Sequence, residues 1–189
     1  MSTIGYNNLY MKLNSKELRD IPQSEAEHIS TDIVRRPLYL ILENIYDTYN
    51  IGGIFRLADA LAVSKIYLCG EMETPPNHKI QKASVGTYKI VPWEYKETAL
   101  EAIDELRKEQ KDIVIIAVEQ SETSIPYTEA EYTLPCALLV GNETYGVLPE
   151  TLKTVDQTVE IPMWGVNKSL NVIVSAAIVG YHAITSSKK

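Results

Sequence analysis

Over the first 36 positions polar residues dominate and the apolar ones keep no steady period, which predicts an N-terminal arm or short helical extension. After Pro37 the pattern changes. Positions 38–42 form a short apolar run bounded by polar residues, the mark of a buried strand. Over 51–63 the spacing becomes helical, with Ile54, Leu57, Ala58 and Leu61 on one face. A second strand is predicted over 65–69, stopped by Gly70. Thr74-Pro75-Pro76-Asn77 reads as a turn that caps a short helix over 78–83. Positions 97–110 make an amphipathic helix with Leu100, Ile103 and Leu106 inward. The almost pure Ile/Val run at 113–118 and the run at 136–140 predict strands buried on both faces. A short strand over 159–161 stops at Pro162, and a helix over 170–184 closes the chain. Leu170, Val172, Ile173, Val174, Ala176, Ala177, Ile178 and Val179 leave that helix almost no polar face, which suits a central position or a subunit interface. Strands alternating with helices define an α/β domain over 37–189, a mostly parallel sheet with helices on both faces.

At 189 residues and 45% hydrophobic content the chain can build one core. No apolar stretch is long enough to span a bilayer, and the first twenty residues are too polar for a signal peptide. Cys69 and Cys136 fall in predicted strands and lack metal-site spacing. No metal, no membrane partner and a cytoplasmic location are therefore expected. A net charge of −7 argues at first against a nucleic-acid partner, but its distribution changes the reading. Residues 1–96 carry 11 basic and 11 acidic side chains, whereas 97–160 carry 4 and 14. Between 78 and 96, Lys79, Lys82, Lys89 and Lys96 meet only Glu94. Such a patch can grip phosphates; on charge alone a solvated lysine face accounts for it as well.

Three segments hold candidate chemistry. Asn50-Ile51-Gly52-Gly53-Ile54-Phe55-Arg56 joins the first strand to the first helix. Its glycines permit a tight turn and close approach by a ligand, or simply a helix start. Arg56, in an otherwise apolar helix, requires a partner or a ligand. Gly141-Asn142-Glu143-Thr144-Tyr145-Gly146 follows a buried strand, the place where ligands collect in open α/β sheets. Ile161-Pro162-Met163-Trp164-Gly165 leads to Ser169-Leu170-Asn171, with Ser169 as a candidate N-cap of the last helix and Asn171 in its first turn.

In this order and at these places, the segments resemble the three signature motifs of the SpoU/TrmH branch of the SPOUT methyltransferases. The resemblance implies a C-terminal trefoil knot, a rare exception to the rule against knotted chains. It also implies a homodimer and an S-adenosylmethionine pocket built from Val140, Gly141, Asn142, Gly146, Ile161, Met163, Ser169 and Leu170. Ile173 departs from the family, many members having a small residue there, and is expected only to repack the helix.

By the same resemblance the reaction is methyl transfer to a ribose 2′-hydroxyl of structured RNA, transfer or ribosomal. Asn50, Arg56, Glu143, Ser169 and Asn171 are its candidate catalytic residues, and Lys79, Lys82 and Lys89 grip flanking phosphates. A guanidinium loses its proton only above about pH 12, so Arg56 is expected to position the ribose and stabilise a developing alkoxide. Asn50, Glu143, Ser169 and Asn171 would orient Arg56 and the ribose. Rival readings are a nucleotide-binding oxidoreductase, a SPOUT-fold base methyltransferase and a non-catalytic RNA-binding module.

Overall fold

The computed structural model describes residues 12–187. The extension before residue 36 holds two short helices, α1 (Ser15–Asp20) and α2 (Gln23–Asp32); its first eleven residues lie outside the described ones. Asn14 caps α1 by accepting from the amides of Lys16 and Glu17, while Glu17 returns the bond to the Asn14 amide. Ile21, Ala26 and Ile90 form a small cluster that seats this extension on the domain.

The domain then runs β1 (Arg36–Glu43), α3 (Thr48–Leu61), β2 (Val63–Cys69), α4 (His78–Ser84), β3 (Trp93–Lys96), α5 (Ala99–Glu109) and β4 (Val114–Val118). It continues through β5 (Ile125–Pro126), β6 (Cys136–Val140), α6 (Pro149–Leu152), β7 (Gln157–Glu160) and α7 (Val172–Ser186). The strands make one sheet in the order β3-β2-β1-β6-β4-β7-β5, and every pairing is parallel. Side chains alternate across it. Leu38, Leu40 and Leu42 of β1 pack with Ile54, Phe55 and Ala58 of α3 and with Ala176 and Val179 of α7 on one face. Tyr39 and Ile41 pack with Ala102, Ile103 and Leu106 of α5 on the other. Helices therefore cover both faces, as the alternation predicts.

Several boundaries differ from the sequence expectation. Helix α3 begins at Thr48, because the Asp47 side chain accepts from the Tyr49 amide and caps it three residues before the apolar pattern starts. Strand β2 takes Val63, which pairs with Arg36 of β1. The last helix starts at Val172, and its N-cap is Asn171, whose side chain accepts from the Ile173 amide at 2.9 Å. Ser169 lies two residues before that cap and does not cap the helix. Gly52 and Gly53 lie inside α3 and face helices, not a ligand. A Cβ on Gly52 would meet Ala83 Cβ of α4 at 2.5 Å, and one on Gly53 would collide with the Ile173 side chain of α7. Ile173 thus fills the space that Gly53 leaves open. Nor is α7 buried on all sides, since Val174 and Tyr181 are exposed.

Candidate active site

The strand order reverses its sense between β1 and β6, and parallel sheets gather ligands at the carboxyl ends of strands near such a point. Beyond the ends of β4, β6 and β7 lies a cavity of about 870 Å³. Val140, Gly141, Asn142, Gly146, Ile161, Met163, Ser169 and Leu170 all line it, as do Asn50, Glu143 and Asn171.

A chain of hydrogen bonds joins the three sequence segments at its edge. Glu143 accepts from Asn50 Nδ2 at 2.9 Å and from the backbone amides of Tyr46 and Asp47, each at 3.2 Å. Asn50 Oδ1 accepts from Asn171 Nδ2 at 2.9 Å. Asn50 is only 6% exposed and both ends of its amide are bonded, while its partners Glu143 and Asn171 remain exposed. Burial pushes the Glu143 carboxyl up, but the Asn50 amide and the backbone donors outweigh it and hold the group below the usual carboxylate range. Glu143 is therefore an anion at neutral pH with its oxygens committed to donors. It anchors the start of α3 and orients Asn50; it does not orient Arg56.

The loop carrying Glu143 is itself pinned. Asn142 and Gly146 exchange backbone hydrogen bonds at 3.0 and 2.9 Å. The Asn142 side chain donates to the Asn44 carbonyl at 2.7 Å and accepts from the amides of Thr144 and Tyr145, so its role is to hold the loop. Glu43, 2% exposed, accepts from the Leu148 amide at 2.8 Å and the Thr151 hydroxyl at 2.6 Å. Burial pushes its carboxyl up, against the lowering effect of those two donors. Sequence reasoning missed Glu43, which looks like a polar strand end.

Arg56 stands apart. It is exposed, does not line the cavity, and has no hydrogen bond or ion pair among the described residues. Six residues at about 100° each set it roughly 120° around α3 from Asn50. The basic patch also shrinks. Lys89 Nζ donates to the carbonyls of Arg19 and Ile21, at 3.0 and 2.9 Å, and closes the C-terminal end of α1. Lys96 is paired with Glu94 and Glu105. Lys79 and Lys82 on α4 are exposed, and their ammonium groups have no partner among the described residues.

Among the described residues no group of three His, Cys, Asp or Glu side chains is arranged to hold a metal, and no helix is long and apolar enough to cross a membrane. The cavity is of the size that takes a nucleoside-sized ligand. Apolar walls (Val118, Val140, Ile161, Leu170) alternate with carboxylates (Glu119, Glu143), which suits a cofactor carrying an aromatic base and a positive sulfur.

Comparison with known proteins agrees with this geometry. The model of the SpoU rRNA Methylase family matches residues 37–181. The tRNA (guanosine(18)-2′-O)-methyltransferase of Aquifex aeolicus (strain VF5) is 31% identical over 150 residues, covering 79% of this chain and 69% of that protein. The 23S rRNA (guanosine-2′-O-)-methyltransferase RlmB of Vibrio parahaemolyticus serotype O3:K6 (strain RIMD 2210633) is 30% identical over 173 residues, covering 92% and 65%. The crystal structure of the A. aeolicus TrmH/SpoU tRNA modifying enzyme superposes with a TM-score of 0.72 at 28% identity, over 91% of this chain and 81% of that one. The AdoMet-bound rRNA methyltransferase from Sinorhizobium meliloti gives 0.73 at 26% identity, over 89% and 59%. The chain thus spans about three fifths of some solved relatives. It belongs to the SpoU rRNA Methylase family, within the SpoU/TrmH group of S-adenosylmethionine-dependent RNA 2′-O-methyltransferases.

Proposed function

We propose that this protein transfers a methyl group from S-adenosylmethionine to the 2′-hydroxyl of a ribose in structured RNA, transfer or ribosomal, and that it does so as a homodimer. The observation that carries this reading is the Glu143–Asn50–Asn171 chain, which locks all three motif segments around one cavity. Guanosine is the nucleotide to test first, because the similar tRNA and rRNA enzymes act on guanosine. The family's trefoil knot is part of the proposal. It is supported by segment 161–171, which lines the cavity at the strand ends and is tied to the end of β4 by Gln120 Nε2 donating to the Lys168 carbonyl at 2.8 Å.

S-adenosylmethionine supplies a methyl group activated by its sulfonium. The chain supplies alignment, which in-line transfer to an alcohol needs most. Asn50 and Asn171 are fixed by each other and by Glu143. The Ser169 hydroxyl has no partner among the described residues and is available to the ribose. Glu143, held as an anion below the usual carboxylate range by three donors, is a poor base for an alcohol proton. Arg56 holds the adjacent phosphate and stabilises the developing alkoxide, and it reaches the site from the second subunit.

That last element is supported by the character of the surface. Tyr49, Arg56 and Ala60 on α3 lie on the stripe i, i+7, i+11, and α7 beside it exposes Val174 and Tyr181. A two-fold contact through this mixed face covers the apolar side chains and carries Arg56 out of its own subunit. The test is complementation. Arg56→Ala and Asn171→Ala should each be inactive, and mixed in equal amounts they should regain about a quarter of wild-type activity, because half of the randomly paired dimers hold one intact site. No recovery on verified exchange would place Arg56 in its own subunit's site.

A further inference from the structure

Three carboxylates that none of the motif segments contains line the cavity: Asp47, which caps α3, Glu160, which accepts from the Ser124 hydroxyl at 2.6 Å, and Glu119. Glu119 follows β4 directly, and its backbone amide donates to the Val159 carbonyl at 3.0 Å, so its main chain is fixed. Its side chain is fixed too. Oε1 accepts from the Gln120 amide at 2.8 Å and Oε2 from the Val147 amide at 2.9 Å. Gly146, at φ +71°, lies directly over Oε2, where any Cβ would collide with it. The carboxylate thus occupies a place kept open by a glycine and is held by two backbone donors. Among the described residues no cation pairs with it. One lone-pair direction remains on each oxygen, and Glu119 lines the cavity.

We propose that Glu119 is a cofactor-binding residue that accepts the two hydroxyls of the cofactor's ribose. The inference rests on the S-adenosylmethionine reading of this cavity. An immobilised carboxylate with one free acceptor direction per oxygen matches a vicinal diol, two adjacent donors on one ring. The adenine edge fits poorly, because its amino donor sits beside a ring nitrogen whose lone pair a carboxylate repels. A carboxylate at a strand end serves the same purpose for ribose in other parallel α/β sheets. The placement is consistent with the reaction. Glu119 is bonded beside Gly146 and Gln120 and shares no hydrogen bond with the Glu143–Asn50–Asn171 chain, so the ribose would be held by a group separate from the polar chain of the motif residues.

Calorimetry on the full chain tests this with two probes, S-adenosylhomocysteine and 5′-methylthioadenosine. Both carry the adenosine diol, but only the first carries an ammonium. Glu119→Gln should weaken both by the same factor, about tenfold to a hundredfold, the range for hydrogen bonds to a charged group. In the wild type, 2′-deoxy and 3′-deoxy S-adenosylhomocysteine should lose a similar factor, an arm that does not depend on how the variant folds. A loss confined to S-adenosylhomocysteine assigns the carboxylate to the ammonium and overturns the proposal. Unchanged affinity for both probes overturns it as well. Failure of the wild type to bind either probe removes the cofactor reading itself, a different result from either of these.

Discussion

Replacing Asn50 with alanine removes one side chain and two hydrogen bonds at once. Glu143 loses its shortest donor, at 2.9 Å, and Asn171 loses the acceptor of its amide, also at 2.9 Å. A hydrogen bond to a charged group contributes about 1.5–3 kcal/mol and a neutral one about 0.5–1.5 kcal/mol. Asn50 is 6% exposed, but Glu143 and Asn171 are exposed, so water repairs part of the loss and the fold should be destabilised by roughly 1–3 kcal/mol. Urea unfolding measures the change, with the m-value checking that the unfolding reaction is otherwise unaltered. The double variant with Asn171→Ala separates the two bonds, and their coupling should be about 0.5–1.5 kcal/mol. A loss below about 0.5 kcal/mol for Asn50→Ala, the size of an ordinary surface substitution, would show that the three segments are not held together through this amide.

Three further outcomes follow from the same contacts. Glu143 is held below its unfolded-state pKa, so its stabilising contribution is present above about pH 4.3 and is lost as pH falls through its folded-state value. The unfolding free energies of wild type and Glu143→Gln should therefore converge on acidification, and a gap that widens in acid would refute the assignment. Gly53→Leu should cost about 1–3 kcal/mol through collision with Ile173, with much of it restored by Ile173→Ala; an additive double variant contradicts this packing. Lys79→Glu with Lys82→Glu should weaken RNA binding and flatten its salt dependence by about one unit of slope per lost phosphate contact, leaving S-adenosylhomocysteine affinity unchanged; Lys89→Ala should instead lower stability.

Strand β6 could be read from sequence to the residue, because five uninterrupted apolar positions bounded by Pro135 and Gly141 suit only a strand buried on both faces. Strand β3 could not. Trp-Glu-Tyr-Lys alternates apolar and polar over only four residues, and its Tyr95 is exposed, so the pattern marks no buried face and the segment becomes a strand by pairing with β2. Strand β5 is two residues at the sheet edge ending in proline, too short for any periodicity. The glycine pair was legible as a close approach but not as to what approaches. Removing a Cβ serves a ligand and a neighbouring helix equally, and here two helices use the space.

The site divides in the same way. Asn50, Glu143 and Asn171 are 93 and 121 residues apart in their two bonds, so no local pattern pairs them, and family resemblance alone brought them together. Glu119 left no signal, since a carboxylate after an apolar strand looks like the strand's exposed end. The lysines of 78–96 look alike in sequence. Their fates differ because Lys89 meets the carbonyls that end α1, far away in the chain, and Lys96 meets Glu94 and Glu105, the second brought to it by the fold of α5 against β3.

The central claim concerns the atom that receives the methyl group. Bulk RNA from a cell lacking the protein, incubated with the full chain and a labelled methyl donor, should become labelled, and alkaline digestion should then release the label in a resistant dinucleotide. A methylated 2′-oxygen cannot attack the neighbouring phosphate, so that one linkage survives while the rest are cleaved. Label in alkali-sensitive mononucleotides or free bases would show that the base, not the ribose, is the acceptor.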